Sequence, residues 1–312
     1  MSLRPVLKRP YAVVLALVAL VVGLVGTAPA QASVTTNPNA TTWRVLVGEQ
    51  SPDLAIQGMR FLPGEIWIDQ GDSIKFLANA AEVHTVSFGT PPTPIRGIGD
   101  LLADAVPRVG GPVFDPTAPW TNSGILTTMP VPDFPTSTSY LQKFAARGDF
   151  TFFCLFHGEV MTLTVHVQAP NAAYPHTQAF YDAQAAAETA GIVAHGYGLW
   201  AATAAQATPT HVFVGAADGL TEVMRFIWQD DVVHLGQTVT FDLSADHMVV
   251  PHTVTFTTLM QHGMPVDSGT LLEAFVGGPS TFSVTFDQLG IWNYFCEFHD
   301  DMGMVGSVTV VP

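Results

Sequence analysis

The sequence predicts an all-β chain of two antiparallel β-sandwiches joined by a helical linker. Three observations carry that expectation. One pattern of short alternating segments is written twice, Gly, Pro and Asp punctuate the segments, and a single Ala-rich stretch separates the copies. The length of 312 residues agrees with two domains. With 48% hydrophobic and 12% charged residues there is ample material for buried cores.

The amino terminus reads as an export signal, residues 1–32. Arg4, Lys8 and Arg9 lead into the apolar run Tyr11 to Val25, and Ala28-Pro-Ala-Gln-Ala32 offers two A-x-A cleavage sites. The run is short for a spanning helix, so cleavage after Ala32 is expected, with export to a periplasm or the extracellular space. An uncleaved signal would instead leave the protein membrane-associated. Eleven bases face 26 acids, and loss of the three leading bases takes the net charge from −15 to −18. Such a charge argues against nucleic-acid binding and favours basic partners.

The first copy is expected at about 41–169 and the second at about 209–312. Met59-Arg-Phe61 recurs as Met224-Arg-Phe226, and a Gly follows twelve residues after each Met, Gly71 and Gly236. Each Gly opens a strand-like run, to Phe76 and to Phe241. His84-Thr-Val-Ser-Phe88 then matches His252-Thr-Val-Thr-Phe256, and Asn122-Ser-Gly-Ile-Leu126 matches Asp267-Ser-Gly-Thr-Leu271. Phe153-Cys-Leu-Phe-His157 matches Phe295-Cys-Glu-Phe-His299, and both copies close on an alternating strand. The first copy is longer, chiefly through a Pro- and Gly-rich insertion at Gly89–Trp120. Between the copies, residues 170–208 are expected to form a packing helix. Phe180, Tyr181, Ile192, Tyr197 and Trp200 offer it an apolar face, and Gly191 and Gly196 are expected to break or kink it.

The strongest chemical signal is Cys-x2-His followed shortly by Met, with another His on an upstream strand. Alone, each residue is unremarkable: a Phe-Cys is usually core, a strand-end His merely polar, a Met packing. All four types recur in one order in both copies, and that removes the bland reading. A thiolate, two imidazoles and a weak thioether suit copper that shuttles between two charges, whereas structural zinc asks for four strong N/S ligands. The only cysteines, Cys154 and Cys296, sit in separate equivalent copies, so no disulfide is expected between them.

Each copy resembles the plastocyanin, amicyanin and halocyanin branch of the cupredoxins. Pro251-His-Thr-Val-Thr-Phe256 is similar to the segment bearing that family's first ligand. Tyr294-Phe-Cys-Glu-Phe-His-Asp-Asp-Met-Gly-Met304-Val-Gly-Ser-Val-Thr-Val310 is similar to its closing ligand loop and last strand. The resemblance covers both copies but not the signal, linker or insertion. It implies two cupredoxin-like Greek-key β-sandwiches with one type 1 copper ion each. The implied ligands are His84, Cys154, His157 and Met161 in the first, and His252, Cys296, His299 and Met304 in the second. Met304 is preferred to Met302 because the family's ligand Met directly precedes the final strand as M-x-G-x-V; Leu163 departs from that pattern in the first copy. Three residues separate His157 from Met161 and four separate His299 from Met304, so the axial bonds are expected to differ.

Two classes of function compete. An electron carrier with no small-molecule substrate needs only these centres. A two-domain multicopper oxidase or nitrite reductase-like enzyme needs further copper, normally held by His-x-His pairs and a His beside the blue-copper Cys; the sequence has neither. Copper storage or delivery is a third reading, disfavoured because no Met-rich or His-rich tract is present. The expected function is one-electron exchange with redox protein partners. The resemblance places the exposed electron ports at the edges of His157 and His299, with Glu159, Asp300 and Asp301 beside them to steer a basic docking face. Phe153, Phe156, Phe295 and Phe298 are expected to keep water from the thiolates. The remaining histidines share no ligand spacing and are expected to be exposed or hydrogen-bonded.

Overall fold

A computed structural model describes residues 39–131, 134–247, 250–272 and 278–312; the expected signal at 1–32 lies outside them. The first half carries β1 (Thr42–Gln50), β2 (Ile56–Leu62), β3 (Glu65–Asp69), β4 (Ser73–Ala78), β5 (Ser87–Gly89) and helix α1 (Ile98–Ala105). It continues with β6 (Arg108–Val109), β7 (Val113–Phe114), β8 (Trp120–Ser123), β9 (Ile125–Leu126), β10 (Thr136–Ser137), β11 (Ser139–Phe144), β12 (Gly148–Cys154) and β13 (Gly158–Gln168). Helix α2 (Gln178–Ala204) follows. The second half carries β14 (His211–Ala217), β15 (Thr221–Ile227), β16 (Asp230–His234), β17 (Thr238–Asp242) and β18 (Thr255–Gln261). It ends with β19 (Met264–Asp267), β20 (Thr281–Thr285), β21 (Gly290–Phe295) and β22 (Val305–Val311).

The two halves are β-sandwiches that share a sheet. Nine strands run continuously in the order β20-β17-β14-β15-β2-β1-β4-β11-β7. Each half lays its own second sheet over its part: β3-β13-β12-β5-β8-β6 in the first, β16-β22-β21-β18-β19 in the second. The join is the antiparallel pairing of β2 with β15, where Ile56, Gln57 and Gly58 face Val223, Glu222 and Thr221. These strands carry the repeated Met-Arg-Phe, so equivalent strands meet head to tail about a pseudo-twofold axis at Gln57 and Glu222.

Alternation of apolar side chains builds the cores, as in β1, where Trp43, Val45 and Val47 point inward while Thr42 and Arg44 are exposed. One cluster centres on Phe61, Phe76 and Phe152, another on Phe226, Phe241 and Tyr294. The cores are not separate, because Ala217, Met224, Val250 and Met302 of the second half pack into the first cluster. The repeated arginines cross the join reciprocally. Arg60 donates to Gly219 O (3.1 Å) and to Val160 O, beside Met161, while Arg225 donates to Asp53 O (2.6 Å) and Met302 O (2.6 Å). A hydrogen bond from a charged group is worth about 1.5–3 kcal/mol, so each arginine pins a loop near a candidate Met to the opposite half.

Helix α2 starts at Thr177, whose hydroxyl accepts from Phe180 N (3.2 Å), and lies across β1, β2, β14 and β15. It runs unbroken through Gly191 and Gly196, contrary to the kink expected there. Gly196 is a packing residue: a Cβ there would come within 2.3 Å of Ile56 Cγ2, so its absence lets the helix close on β2. Tyr181 and Ile192 are buried as the expected face, whereas Phe180 and Tyr197 are exposed. Among the described residues no helix is long and apolar enough to cross a membrane.

The insertion of the first half folds over the end of the sandwich. Leu101, Ala105 and Trp120 cluster with Leu155, which follows Cys154, and Phe156 packs against them. Asn122 fastens it by donating to the carbonyls of Asp104 (2.9 Å), Ala105 (2.9 Å) and Pro107 (2.8 Å).

Candidate metal centres

The structure brings the histidines and cysteine of each half together. Backbone exchange holds the upstream His: His84 N donates to Leu126 O (2.9 Å) and Leu126 N to His84 O (2.8 Å), as do His252 and Leu271 (3.1 and 2.7 Å). This explains the distant repeated Ser-Gly-x-Leu. Its Leu pairs with the His, and its Ser accepts the amide of Val86 or Val254 at 2.8 Å. Cys154 ends β12 and Cys296 follows β21; both are buried and free, and their sulfurs accept from Thr85 N and Thr253 N at 3.3 Å.

In the first centre the Nδ1 atoms of His84 and His157 are 3.2 Å apart, and Cys154 Sγ lies 3.9 Å from His84 Nδ1. In the second, the Nδ1 atoms of His252 and His299 are 3.1 Å apart, with Cys296 Sγ 3.7 and 3.5 Å from them. Met161 shares the core cluster of Cys154, and Met304 that of Cys296; both are fully buried. Met302 instead packs into the opposite half's cluster. Two convergent imidazole nitrogens, a buried thiol and a buried thioether fit a copper ion.

One residue behind each centre escaped the sequence reading. Gly48 and Gly215 adopt left-handed backbone (φ 71° and 79°) at bulges in β1 and β14. A Cβ would lie 2.2 Å from His84 Nε2 and 3.1 Å from His252 Nε2, so the missing side chain makes room for the ring. The repeated Val47-Gly48 and Val214-Gly215 were the available signal.

Electrostatics separate the centres. Burial pushes the Cys154 thiol up to about 11 and the His157 imidazole down to about 3; burial and His157 hold His84 well below its ordinary value. In the second centre burial opposes the Cys296 thiolate, but hydrogen bonds from His252 and His299 outweigh it and hold the thiol well below its ordinary value. The cause lies behind His252, whose Nε2 faces Asp246 Oδ2 at 3.4 Å and Glu222 Oε1 at 3.5 Å. Burial lowers His252, yet Asp246, Cys296 and Glu222 together raise it well above the usual imidazole range. Glu82 of the first half also reaches across, 3.7 Å from His299 Nε2. These buried acids were missed because they lie outside the ligand motifs.

The expected electron ports are not open surface. His157 and His299 are 4% and 5% exposed, and both line one mostly apolar cleft of about 480 Å³ between the halves. Ile98 and Leu102 of the insertion, Phe156 and Phe298 form its walls, with Glu297, Asp300 and Asp301 at the second half's side. Phe298 is 48% exposed and so shields less than expected. Glu159 is exposed elsewhere. The other histidines behave as anticipated where bonds are seen: His166 with Asp149 and Glu65, His195 with Asp218, His211 with Asp242.

The family model for copper binding proteins, plastocyanin/azurin family, matches residues 212–311. Chloroplastic plastocyanin of Oryza sativa subsp. indica is 35% identical over 125 residues, 39% of this chain and 77% of that protein. The chain belongs to the plastocyanin/azurin family. Cupredoxins of this kind are copper-binding electron carriers that work with redox partners. Chloroplastic plastocyanin of Hordeum vulgare is 36% identical over 32% of this chain, which spans only 61% of that relative's length. An oxidised amicyanin variant is 23% identical over 35% of this chain and 89% of its own, with a TM-score of 0.25.

Proposed function

We propose that this cupredoxin is an exported electron carrier with two type 1 copper ions, one in each sandwich. His84, Cys154, His157 and Met161 would hold one, and His252, Cys296, His299 and Met304 the other. The observation that carries this reading is the twice-built convergence of two Nδ1 atoms on a buried, unbridged cysteine sulfur. Burial of Met304 with Cys296, and of Met302 with the opposite core, supports Met304 as the axial ligand.

Copper supplies one-electron chemistry at each centre. The chain's own residues keep water out, through the insertion over Leu155 and Phe156, and hold the rings stiffly through the His–Leu and Ser–Val backbone bonds. Because His157 and His299 share a cleft, electrons would enter or leave there, from a partner with a basic face that meets Glu297, Asp300 and Asp301. Metal analysis with a visible spectrum tests the reading. Two coppers per chain and an intense thiolate-to-copper band lost on reduction are expected. Colourless protein with zinc in both centres would refute it, and one copper per chain would refute one centre.

A further inference from the structure

The group behind His252 acts electrostatically on that ring in the copper reading, which leaves the unpaired atoms of Glu222 and His252 unexplained. Glu222, Asp246 and His252 are all fully buried, and one ligand atom from each lies within 4.8 Å of the others. Neither Glu222 oxygen nor His252 Nε2 has a hydrogen-bond partner among the described residues. Glu82, nearly as deep, adds a third acid nearby. Isolated buried carboxylates are costly, and buried charges normally are paired or coordinate a metal.

The distances point the same way. His252 Nε2 stands 3.4 Å from Asp246 Oδ2 and 3.5 Å from Glu222 Oε1. Those separations are long for charge-assisted hydrogen bonds. They match the edges of a tetrahedron around an ion bound at about 2.1 Å to nitrogen and oxygen. The first half is an internal control. Counting from the repeated Met and Phe, Gln57 stands where Glu222 does and Ala81 where Asp246 does. Gln57 Oε1 there accepts Glu82 N (3.2 Å), and His84 Nε2 faces no carboxylate.

We propose that Glu222, Asp246 and His252 Nε2 bind one divalent ion of the zinc class, distinct from the copper held on His252 Nδ1. Imidazole and carboxylate suit such an ion, and its charge neutralises the two acids. With metal on both nitrogens the ring is an imidazolate, and its proton passes to solvent. The inference rests on the reading above only in giving Nδ1 to copper.

The test is a metal count on the full-length chain, loaded with copper first to fill the thiolate sites, then equilibrated with Zn²⁺ and desalted. One zinc per chain is expected beside the copper. E222Q/D246N, which keeps the shape and removes the charge, should retain its copper and unfolding transition but bind zinc at least about tenfold more weakly. E222Q alone serves if the double variant does not fold. No zinc on the unsubstituted chain overturns the inference, as does zinc held equally by the variant. Blue absorbance short of two coppers would fault the two-centre reading instead, since the acid site is judged on the zinc difference between the two proteins.

Discussion

The first sandwich and the second present the same four residue types in the same order, yet differ in what lies immediately behind them. Where the first has Gln57 and Ala81, the second has Glu222 and Asp246 against His252, and away from the centre it has a buried Asp231 at the place of Ile66. The candidate ligand positions and their backbone supports are thus duplicated closely, while the charge behind the upstream histidine is not. A carboxylate facing the outer nitrogen of a metal-bound imidazole strengthens that ligand, so the two centres should hold copper at different potentials. The second should favour the oxidised ion.

Removing one thiolate is the most severe way to break the comparison. Cys154→Ala and Cys296→Ala should each abolish one centre and about half of the blue absorbance, because the band comes from a thiolate on copper and each centre has its own. Complete bleaching by either would show that the centres depend on each other through the shared core. A next step acts on the glycines. Gly48→Ala and Gly215→Ala both force left-handed backbone on a side chain, at about 1–2 kcal/mol. The Cβ meets the ring at 2.2 Å in the first half and 3.1 Å in the second. Gly48→Ala should therefore lose more stability and more copper in denaturant and metal titrations; equal losses would remove the role given to the close approach.

Smaller effects sharpen the electronic difference. Met161→Leu and Met304→Leu should each raise the potential of their own centre by about 60 mV, roughly tenfold in the one-electron equilibrium. Single-cysteine variants allow each centre to be titrated alone. A shift from Met302→Leu and none from Met304→Leu would reassign the axial ligand. Asp231 gives a test on pH. Burial pushes its carboxyl up to about 6, above the usual carboxylate range, so the folded state binds the proton more tightly than the unfolded one. Its ionisation should cost stability progressively from about pH 4 to pH 6 and leave the cost in place above. Asp231→Asn should stabilise the chain by up to about 3 kcal/mol at pH 7 and by little at pH 4. Equal gains at both pH values would rule out the charge as the cause.

The candidate metal-binding segments were legible because the candidate residues cluster in sequence, as in Cys296 to Met304, and because the copies could be read against each other. The two sandwiches followed from alternation and spacing. The shared sheet was not legible. Pairing of Ile56–Gly58 with Thr221–Val223 depends on two strand edges distant in sequence, and alternation specifies a face but not a neighbour. The common cleft followed from that pairing and was hidden with it. Gly191 and Gly196 misled for a related reason: propensity marks them as breaks, whereas Ile56 packing against Gly196 overrides it. Glu222 and Asp246 read as ordinary strand and loop acids because only the fold brings them to His252.

The antiparallel join of β2 and β15 has a further consequence. Equivalent strands meeting about a twofold axis are the arrangement by which two identical subunits would form a closed pair, with no strand edge left free at the contact. In such a pair every substitution appears on both sides of the axis, and an acid at the position of Glu222 would face its own copy. Fusion through α2 lifts that constraint. Gln57 can remain neutral opposite Glu222, and one half can acquire charge while the other keeps its amide. The covalent tether thus turns a symmetric assembly into one whose halves are free to specialise.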